Sequence, residues 1–346
     1  MNYIFLTNGL GETVHGVAVA RYARRRGIDC RFLNVTSTCH NYVREFGLDS
    51  ILLSSKKSQK EINRVIEEYS PDVIFCCNSK TTSDVFLPNS RLIHNSLIVS
   101  LDSNWLFEKM PVYFDKFFVV FPPLIFKSNR NYKITDKRVK PVGFIPSGYK
   151  FSRFELNSVR KKFSAQKEKL IFAYFGRGGT FRYFLVNILL EAIAQLNKET
   201  LKVKLILVSE IKVARKRKNV TFIKWLKKGK DFNKYLAAAD CVVCHHGMPT
   251  FSKAIFAKVP IISFVPEVVE GAKKPSPLSE VEPFEELGLC VSLPYSAKPE
   301  RLKKTLEQIL FDQKGTDIKR EQSKYLIKGE EVVLDEVNKM LKERRI

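Results

Sequence analysis

No stretch of this chain reaches the roughly 18 consecutive apolar residues that a membrane-spanning helix needs, so any membrane contact is expected to be peripheral. The start, Met1–Thr7, is a short strand-like run without a basic leader and meets Gly9 at once, which is not the pattern of a secretory signal. Acidic side chains are scarce: 36 Asp and Glu stand against 59 Lys and Arg, a formal charge of +23. Such a field favours anionic partners, namely nucleotide phosphates, acidic lipid head groups or nucleic acid. No recognition motif accompanies the charge, so nucleic acid is not an expected partner. The seven cysteines lack the spacing of a small disulfide scaffold, which fits a reducing cytoplasm. No Asp-x-Asp metal motif is evident, and Cys241 and Cys244 have no second paired-ligand cluster to complete a zinc site.

The 346 residues, 45% of them hydrophobic, suffice for two separate cores. The chain opens as a β-loop-α-β unit: strand Asn2–Leu6, a glycine-bearing turn Thr7–Thr13, an amphipathic helix Val14–Arg26 closed by Gly27, and strand Cys30–Leu33. Further strands are expected at Ile51–Leu53, Pro71–Cys77, Arg91–His94, Leu97–Leu101, Phe117–Phe121 and Val142–Ile145, with a helix over Gln59–Tyr69. The charged, weakly periodic stretch Lys150–Lys169 marks a boundary. A second α/β half then restarts with strand Leu170–Phe175, the turn Gly176–Thr180 and helix Tyr183–Leu196. Strands Val203–Val208 and Val220–Ile223 and helix Phe232–Ala238 follow; Leu289–Leu293 is the last strand, with closing helices at Glu300–Leu310 and Ile318–Leu341.

Ala239–Pro266 reads as strand, tight turn, helix, strand. Cys241–Cys244 has the continuous apolar character of a strand buried on both faces. A helix starting just after it would turn free N–H groups and a positive dipole end toward the crevice, a natural seat for phosphate. Cys241-Val-Val-Cys244-His245 also has the spacing of c-type haem attachment, but no axial ligand is evident. At the N-terminus a dinucleotide reading would need G-x-G-x-x-G and an acid after the second strand; the third glycine is displaced to Gly16, and Asn34 stands in the acid's place.

In layout Ala239–Pro266 resembles the signature of GT-B glycosyltransferases: His246-Gly247, Thr250, Ala254-Ile255 and Val259-Pro260 match it. Met248 replaces its second Gly, Lys253 the Glu that grips the ribose hydroxyls, and Lys258 a Gly, and one residue is missing before Thr250. The opening Gly9-Leu10-Gly11, His15, Ala18–Ala20 and Arg26-Gly27 is similar to family 28 enzymes, the group of the peptidoglycan N-acetylglucosaminyltransferase. The resemblance implies an α/β fold of two Rossmann-like domains facing a cleft. Residues 1–150 would bind the acceptor, 165–320 the nucleotide-sugar donor, and 321–346 would form a closing helix.

On that reading Gly11 belongs to the first glycine loop. Gly176, Arg177, Gly178, Gly179 and Thr180 would approach a pyrophosphate, the glycines through bare backbone and Arg177 through charge. Trp225 and Leu226 would line the base pocket. His246, Gly247, Met248, Thr250 and Lys253 form the donor signature, and Glu280 either meets sugar hydroxyls or is part of a solvated acidic helix start. His15 is the candidate general base, since a histidine titrates in the right range, and Asp102, at a strand's carboxyl end, would orient or replace it. His245 is expected to be structural. The implied reaction is inverting, metal-independent transfer of a sugar from a nucleoside diphosphate, with UDP the expected carrier, to a hydroxyl of an anionic or lipid-linked acceptor. The enzyme would be cytoplasmic, with peripheral contact to anionic membrane through Pro122–Phe126, Lys127 and Arg130. The rivals are a nucleotide-sugar hydrolase or epimerase of the same fold, and a degenerate binding subunit.

Overall fold

The computed structural model describes residues 1–53, 58–77, 95–102, 113–123, 136–145, 150–176, 181–199, 202–209, 211, 218–224, 229–267 and 277–344, with backbone alone at 58, 59 and 277–280. The chain forms two compact units: Met1–Gly148 with Ile327–Ile346, and Tyr149–Leu326. The first unit therefore reclaims the C-terminus, and the second begins earlier than the 165 read from the sequence.

Unit 1 runs β1 (Asn2–Thr7), α1 (Leu10–Arg24), β2 (Asp29–Asn34), α2 (Ser37–Glu45), β3 (Asp49–Leu52), α3 (Ser58–Tyr69), β4 (Val73–Cys77), β5 (Leu97–Asp102), β6 (Lys116–Val119) and β7 (Val139–Pro141). Its sheet is parallel, in the order β3-β2-β1-β4-β5-β6-β7. Strand alternation splits the core. Tyr3 and Phe5 join the layer of α1, while Ile4 and Leu6 join the layer of α3. Phe5 stacks between Phe32 and Phe75 at centroid distances of 4.7 and 4.6 Å, tying the three central strands together.

Unit 2 runs α4 (Arg153–Lys162), β8 (Lys169–Tyr174), α5 (Phe181–Lys198), β9 (Val203–Val208), β10 (Val220–Ile223), α6 (Gly229–Ala237), β11 (Cys241–His245), α7 (Met248–Ala257), β12 (Ile261–Val265), α8 (Pro277–Glu286), β13 (Val291–Pro294), α9 (Pro299–Leu310) and α10 (Lys314–Ser323). The parallel sheet has the order β10-β9-β8-β11-β12-β13. Ile171, Ala173, Cys241 and Val243 face α5 and α9, whereas Phe172 meets Phe232 of α6 on the other face. The last helix, α11 (Gly329–Arg344), returns to unit 1, where Val333, Leu334, Val337 and Leu341 enter its core.

Several expectations give way to the structure. The glycine turn over Thr7–Thr13 is shorter, because α1 starts at Leu10 with Gly9 as its N-cap. Val142–Ile145 continues β7 without strand geometry, since Gly143 turns the chain at φ 89°. The continuous closing helix over Ile318–Leu341 is two helices. They part at Gly329, whose N–H bonds the Phe144 carbonyl at 2.9 Å and where a Cβ would stand 2.8 Å from the Gly143 oxygen. The stretch Lys150–Lys169 contains α4, started by a capping box between Ser152 and Glu155. The expected strand Arg91–His94 lies outside the described residues.

Candidate functional site

In each unit strand order reverses beside the first strand, between β1 and β4 and between β8 and β11. Open α/β sheets bind ligands at the carboxyl ends of strands at such a switch point. Both candidate sites lie at these ends.

In unit 2, β8 runs out into Gly176, which holds φ 75°, a left-handed conformation open to glycine. A Cβ there would stand 3.0 Å from the His245 ring, and one at Gly247 would stand 3.1 Å from it. The imidazole is thus wedged between two bare backbones. Phe181 lies 6.2 Å from it and stacks on Tyr295 at 5.0 Å. The His245 Nδ1 is buried with no hydrogen-bond partner among the described residues. Burial, then the neighbouring His246 and Arg182 charges, push its pKa down to about 4, so the ring is neutral near pH 7. His246 is also lowered by burial, partly offset by a hydrogen bond to the Phe264 backbone. Arg182 donates through Nη1 to the Gly176 carbonyl at 3.2 Å.

Helix α7 begins at Gly247, whose extended backbone carries no side-chain cap. Its free donors are fewer than the sequence suggests. Pro249 has no N–H, and the N–H groups of Thr250 and Phe251 turn back to the Gly247 carbonyl at 3.0 and 3.4 Å. Met248 is buried in the unit's interior, and Thr250 is buried as well. Lys253 is half-buried, with Nζ 4.9 Å from the Phe232 ring centroid. Burial lowers its pKa to about 8. Lys258, where the resemblance has glycine, closes α7 at φ 54° and accepts the left-handed geometry that glycine takes more cheaply. Arg177, Gly178, Gly179, Thr180, Trp225 and Leu226 lie outside the described residues, as does the side chain of Glu280.

In unit 1, His15 sits on α1, fully buried, and not on a loop; Gly11 lies in the first turn of the same helix. Asp102 ends β5, 2% exposed. Sequence reasoning missed Glu12. Its carboxylate folds back over Gly9, where a Cβ would lie 2.6 Å from Oε2. Burial raises its pKa, its own backbone N–H pulls the other way, and the Asp102 charge raises it further. Cys77, at the end of β4, is driven well above the usual thiol range by burial, with Cys76, Glu12, Asp102 and Cys39 adding to the rise. The structure therefore gathers Glu12, Cys77 and Asp102 at one edge. Asn34, where a dinucleotide site needs an acid, is fully buried, accepting from Thr7 Oγ1 at 2.6 Å and donating to Ser50 Oγ at 2.8 Å.

Cys241 and Cys244 are buried, and their spacing along β11 sends them to opposite faces, which removes the haem and zinc readings. Among the described residues no group of three or more His, Cys, Asp or Glu could hold a metal, and no helix is long and apolar enough to cross a membrane. Of the expected membrane patch, only Pro122 and Pro123 fall among the described residues.

The sequence matches no family model and no curated protein. Solved structures are similar along the whole chain. The glycosyltransferase SnogD from Streptomyces nogalater aligns at TM-score 0.66 and 14% identity, covering 99% of each chain. MurG of Acinetobacter baumannii aligns at 0.61 and 12%, covering 98% of this chain and 99% of its own. A Listeria monocytogenes protein described as a UDP-N-acetylglucosamine 2-epimerase aligns at 0.71 and 14%, covering 99% and 97%. At these identities the likeness shows the fold, and that fold is GT-B.

Proposed function

We propose that this protein is a glycosyltransferase that takes a sugar from a nucleoside diphosphate donor held by unit 2 and passes it to an acceptor hydroxyl held by unit 1. The observation that carries the reading is the turn at the ends of β8 and β11. There two glycines lay bare backbone against a neutral His245, and a helix begins without a side-chain cap. A diphosphate needs hydrogen-bond donors and positive potential, and the uncapped start of α7 with Arg182 close by supplies both, though with fewer backbone donors than an ordinary helix start. Arg182 adds cationic charge beside Gly176. The likeness to SnogD and MurG supports sugar transfer.

In this mechanism a carboxylate of unit 1 removes the acceptor proton as the hydroxyl attacks the anomeric carbon, and the diphosphate leaves toward the unit 2 turn. Asp102 takes the part of the base. His15, fully buried on α1, takes no proton in this mechanism. Transfer is inverting and uses no metal, UDP is the expected carrier, and the acceptor is anionic or lipid-linked. The protein works in the cytoplasm, with contact to anionic membrane where the acceptor is a lipid.

A second reading has an observation of its own. Glu12 and Asp102 supply two carboxylates at one edge, with Glu12 raised, a pairing suited to giving a proton from one group and taking one with the other. The L. monocytogenes neighbour is of that kind. A thermal-shift panel of nucleotide sugars tests donor binding, because a ligand of the native state raises its melting temperature. Product analysis with the best binder separates the readings: a glycosylated acceptor supports transfer, while free sugar or an epimer formed without acceptor replaces it with the second. No shift with any nucleotide sugar leaves a binding subunit for some other ligand.

A further inference from the structure

Arg182, on α5, and Lys253, on α7, put cationic groups on the two faces of the unit 2 sheet beside the ends of β8 and β11. Residues of like parity on β11 share a face, so His245 belongs with Cys241 and Val243 on the α5 side, beside Phe181 and Tyr295. Lys253 belongs to the other side. It projects from α7 toward α6, where its ammonium lies over Phe232, and Phe232 stands edge-on to Phe172 and Tyr174 at 5.0 and 5.1 Å. The two positions are separated by the strand ends themselves.

The ammonium is oddly provided for. Among the described residues it has no ion pair, and its contact is the ring face. Asp231, next to Phe232 in the chain, makes no salt bridge to it. The connection from β10 to α6 reads Lys224-Trp-Leu-Lys-Lys228, so its sequence offers no carboxylate either. A desolvated cation on an aromatic face keeps only part of the stabilisation that water or an anion would give it. Its lowered pKa agrees, and the group is still protonated near pH 7. An ammonium has donors only and cannot receive sugar or ribose hydroxyl protons as a carboxylate would. Its complement is an oxyanion.

We infer that Lys253 anchors an anionic group of the ligand in addition to the diphosphate, so that the substrate is a nucleotide carrying a third charged site. The inference rests on the diphosphate being seated at the Gly176–His245–Gly247 turn, as proposed above. Two chemistries supply such a charge, a carboxylate on the sugar and a phosphate ester on the ribose. In either case the ligand reaches both faces of the strand ends.

Lys253→Met keeps the length and the apolar contact with Phe232 while removing the charge. Titration calorimetry on both proteins uses UDP, UDP-glucose, UDP-glucuronate and uridine 3′,5′-bisphosphate. The wild type should prefer one of the two charged probes over UDP-glucose or UDP by at least tenfold, and Lys253→Met should erase that preference while leaving UDP affinity within about threefold. UDP-glucuronate as the favoured probe identifies an acidic sugar, and the bisphosphate identifies a phosphorylated ribose. The ligand-free variant should also melt higher than wild type, because a desolvated charge is gone. A preference that survives in Lys253→Met, or equal binding of neutral and charged probes by the wild type, overturns the inference. A base-free pair keeps the two readings apart: tripolyphosphate should bind the wild type at least tenfold tighter than pyrophosphate, and the difference should vanish in the variant. If no nucleotide binds yet this difference is found, the nucleotide-sugar reading fails and the role of Lys253 stands. If nucleotides bind and neither probe set responds to Lys253→Met, the opposite holds.

Discussion

The two switch points are built alike and charged oppositely. Each has a buried parallel strand, a glycine-bearing turn and a helix entered through a glycine N-cap, Gly9 in one case and Gly247 in the other. At the unit 1 edge burial acts on acids: Glu12 and the Cys77 thiol are both raised. At the unit 2 edge it acts on bases: His245, His246 and Lys253 are all lowered. Desolvation disfavours whichever charge a group carries, so one physical cause gives opposite chemistry. At the first edge burial pushes acids toward their protonated forms, whereas at the second it pushes imidazoles toward their neutral forms beside the cationic Arg182. The proposed transfer would draw on both, removing a proton at the first edge and receiving an anionic leaving group at the second.

The largest expected effect tests the acidic side. Asp102→Asn keeps the shape at the end of β5 and removes the proposed base. A general base contributes on the order of 10²–10⁴-fold, so turnover should fall by that factor with the melting temperature little changed. Turnover within threefold of wild type would move the proton-accepting role elsewhere, with Glu12 next in line.

On the cationic side, His245 gives the stability counterpart. Its folded pKa of about 4 lies below the ordinary 6.5. The unfolded chain therefore binds a proton first, and stability that is full above pH 6.5 is lost as pH falls through about 4. A gap of that size is worth about 3 kcal/mol at most. His245→Gln should lose less stability than wild type between pH 7 and pH 4, by up to that amount, in urea titrations. Equal losses would mean that the ring is not desolvated. Gly176→Ala attacks the same wedge from the backbone. A side chain at φ 75° that also meets the imidazole at 3.0 Å should cost roughly 1–3 kcal/mol. Pyrophosphate binding should weaken along with it; an unchanged melting temperature and affinity would show that neither the turn nor the ring is tightly held.

Much of this fold is legible in the residues. The apolar runs at Asn2–Leu6, Val203–Val208 and Cys241–Cys244 announce strands because both faces of a parallel sheet are covered, and the restart at Leu170 announces a second sheet. The site is read less well where its meaning depends on distant contacts. His15 has loop-like neighbours in Gly11 and Gly16, yet Gly16 serves packing, for a Cβ there would stand 2.7 Å from the Cys77 sulfur. Glu12 looks like any acid in a first helical turn until Asp102, ninety residues on, comes near it. His245 alternates onto the face of two glycines, one of them 69 positions upstream, a relation that local pattern does not carry. Pro249 was available as a signal: a proline just inside a helix start removes one of the donors a phosphate would use.

The smallest expected effect concerns Glu12, where contributions of opposite sign act on one carboxyl. Burial and the Asp102 charge raise its pKa above the ordinary 4.5, while its own backbone N–H lowers it. Its place in the first turn of α1 also favours the ionised form through the helix dipole. The net rise means that the native state holds this proton after the unfolded chain has released it. The contribution to stability is therefore intact below pH 4.5 and declines as pH climbs through the raised value, the reverse of His245. Glu12→Gln carries no such titration. It should match wild type near pH 4 and become the more stable of the two as pH rises to 8. Asp102→Asn should bring the Glu12 titration down, since one of the charges raising it is gone. Carboxyl-carbon NMR of Glu12 in wild type and Asp102→Asn, with urea titrations of Glu12→Gln at both pH values, measures each part. A Glu12 titration that does not move in Asp102→Asn would mean that the two carboxylates do not sense one another, and the acidic edge would be two separate acids instead of one site.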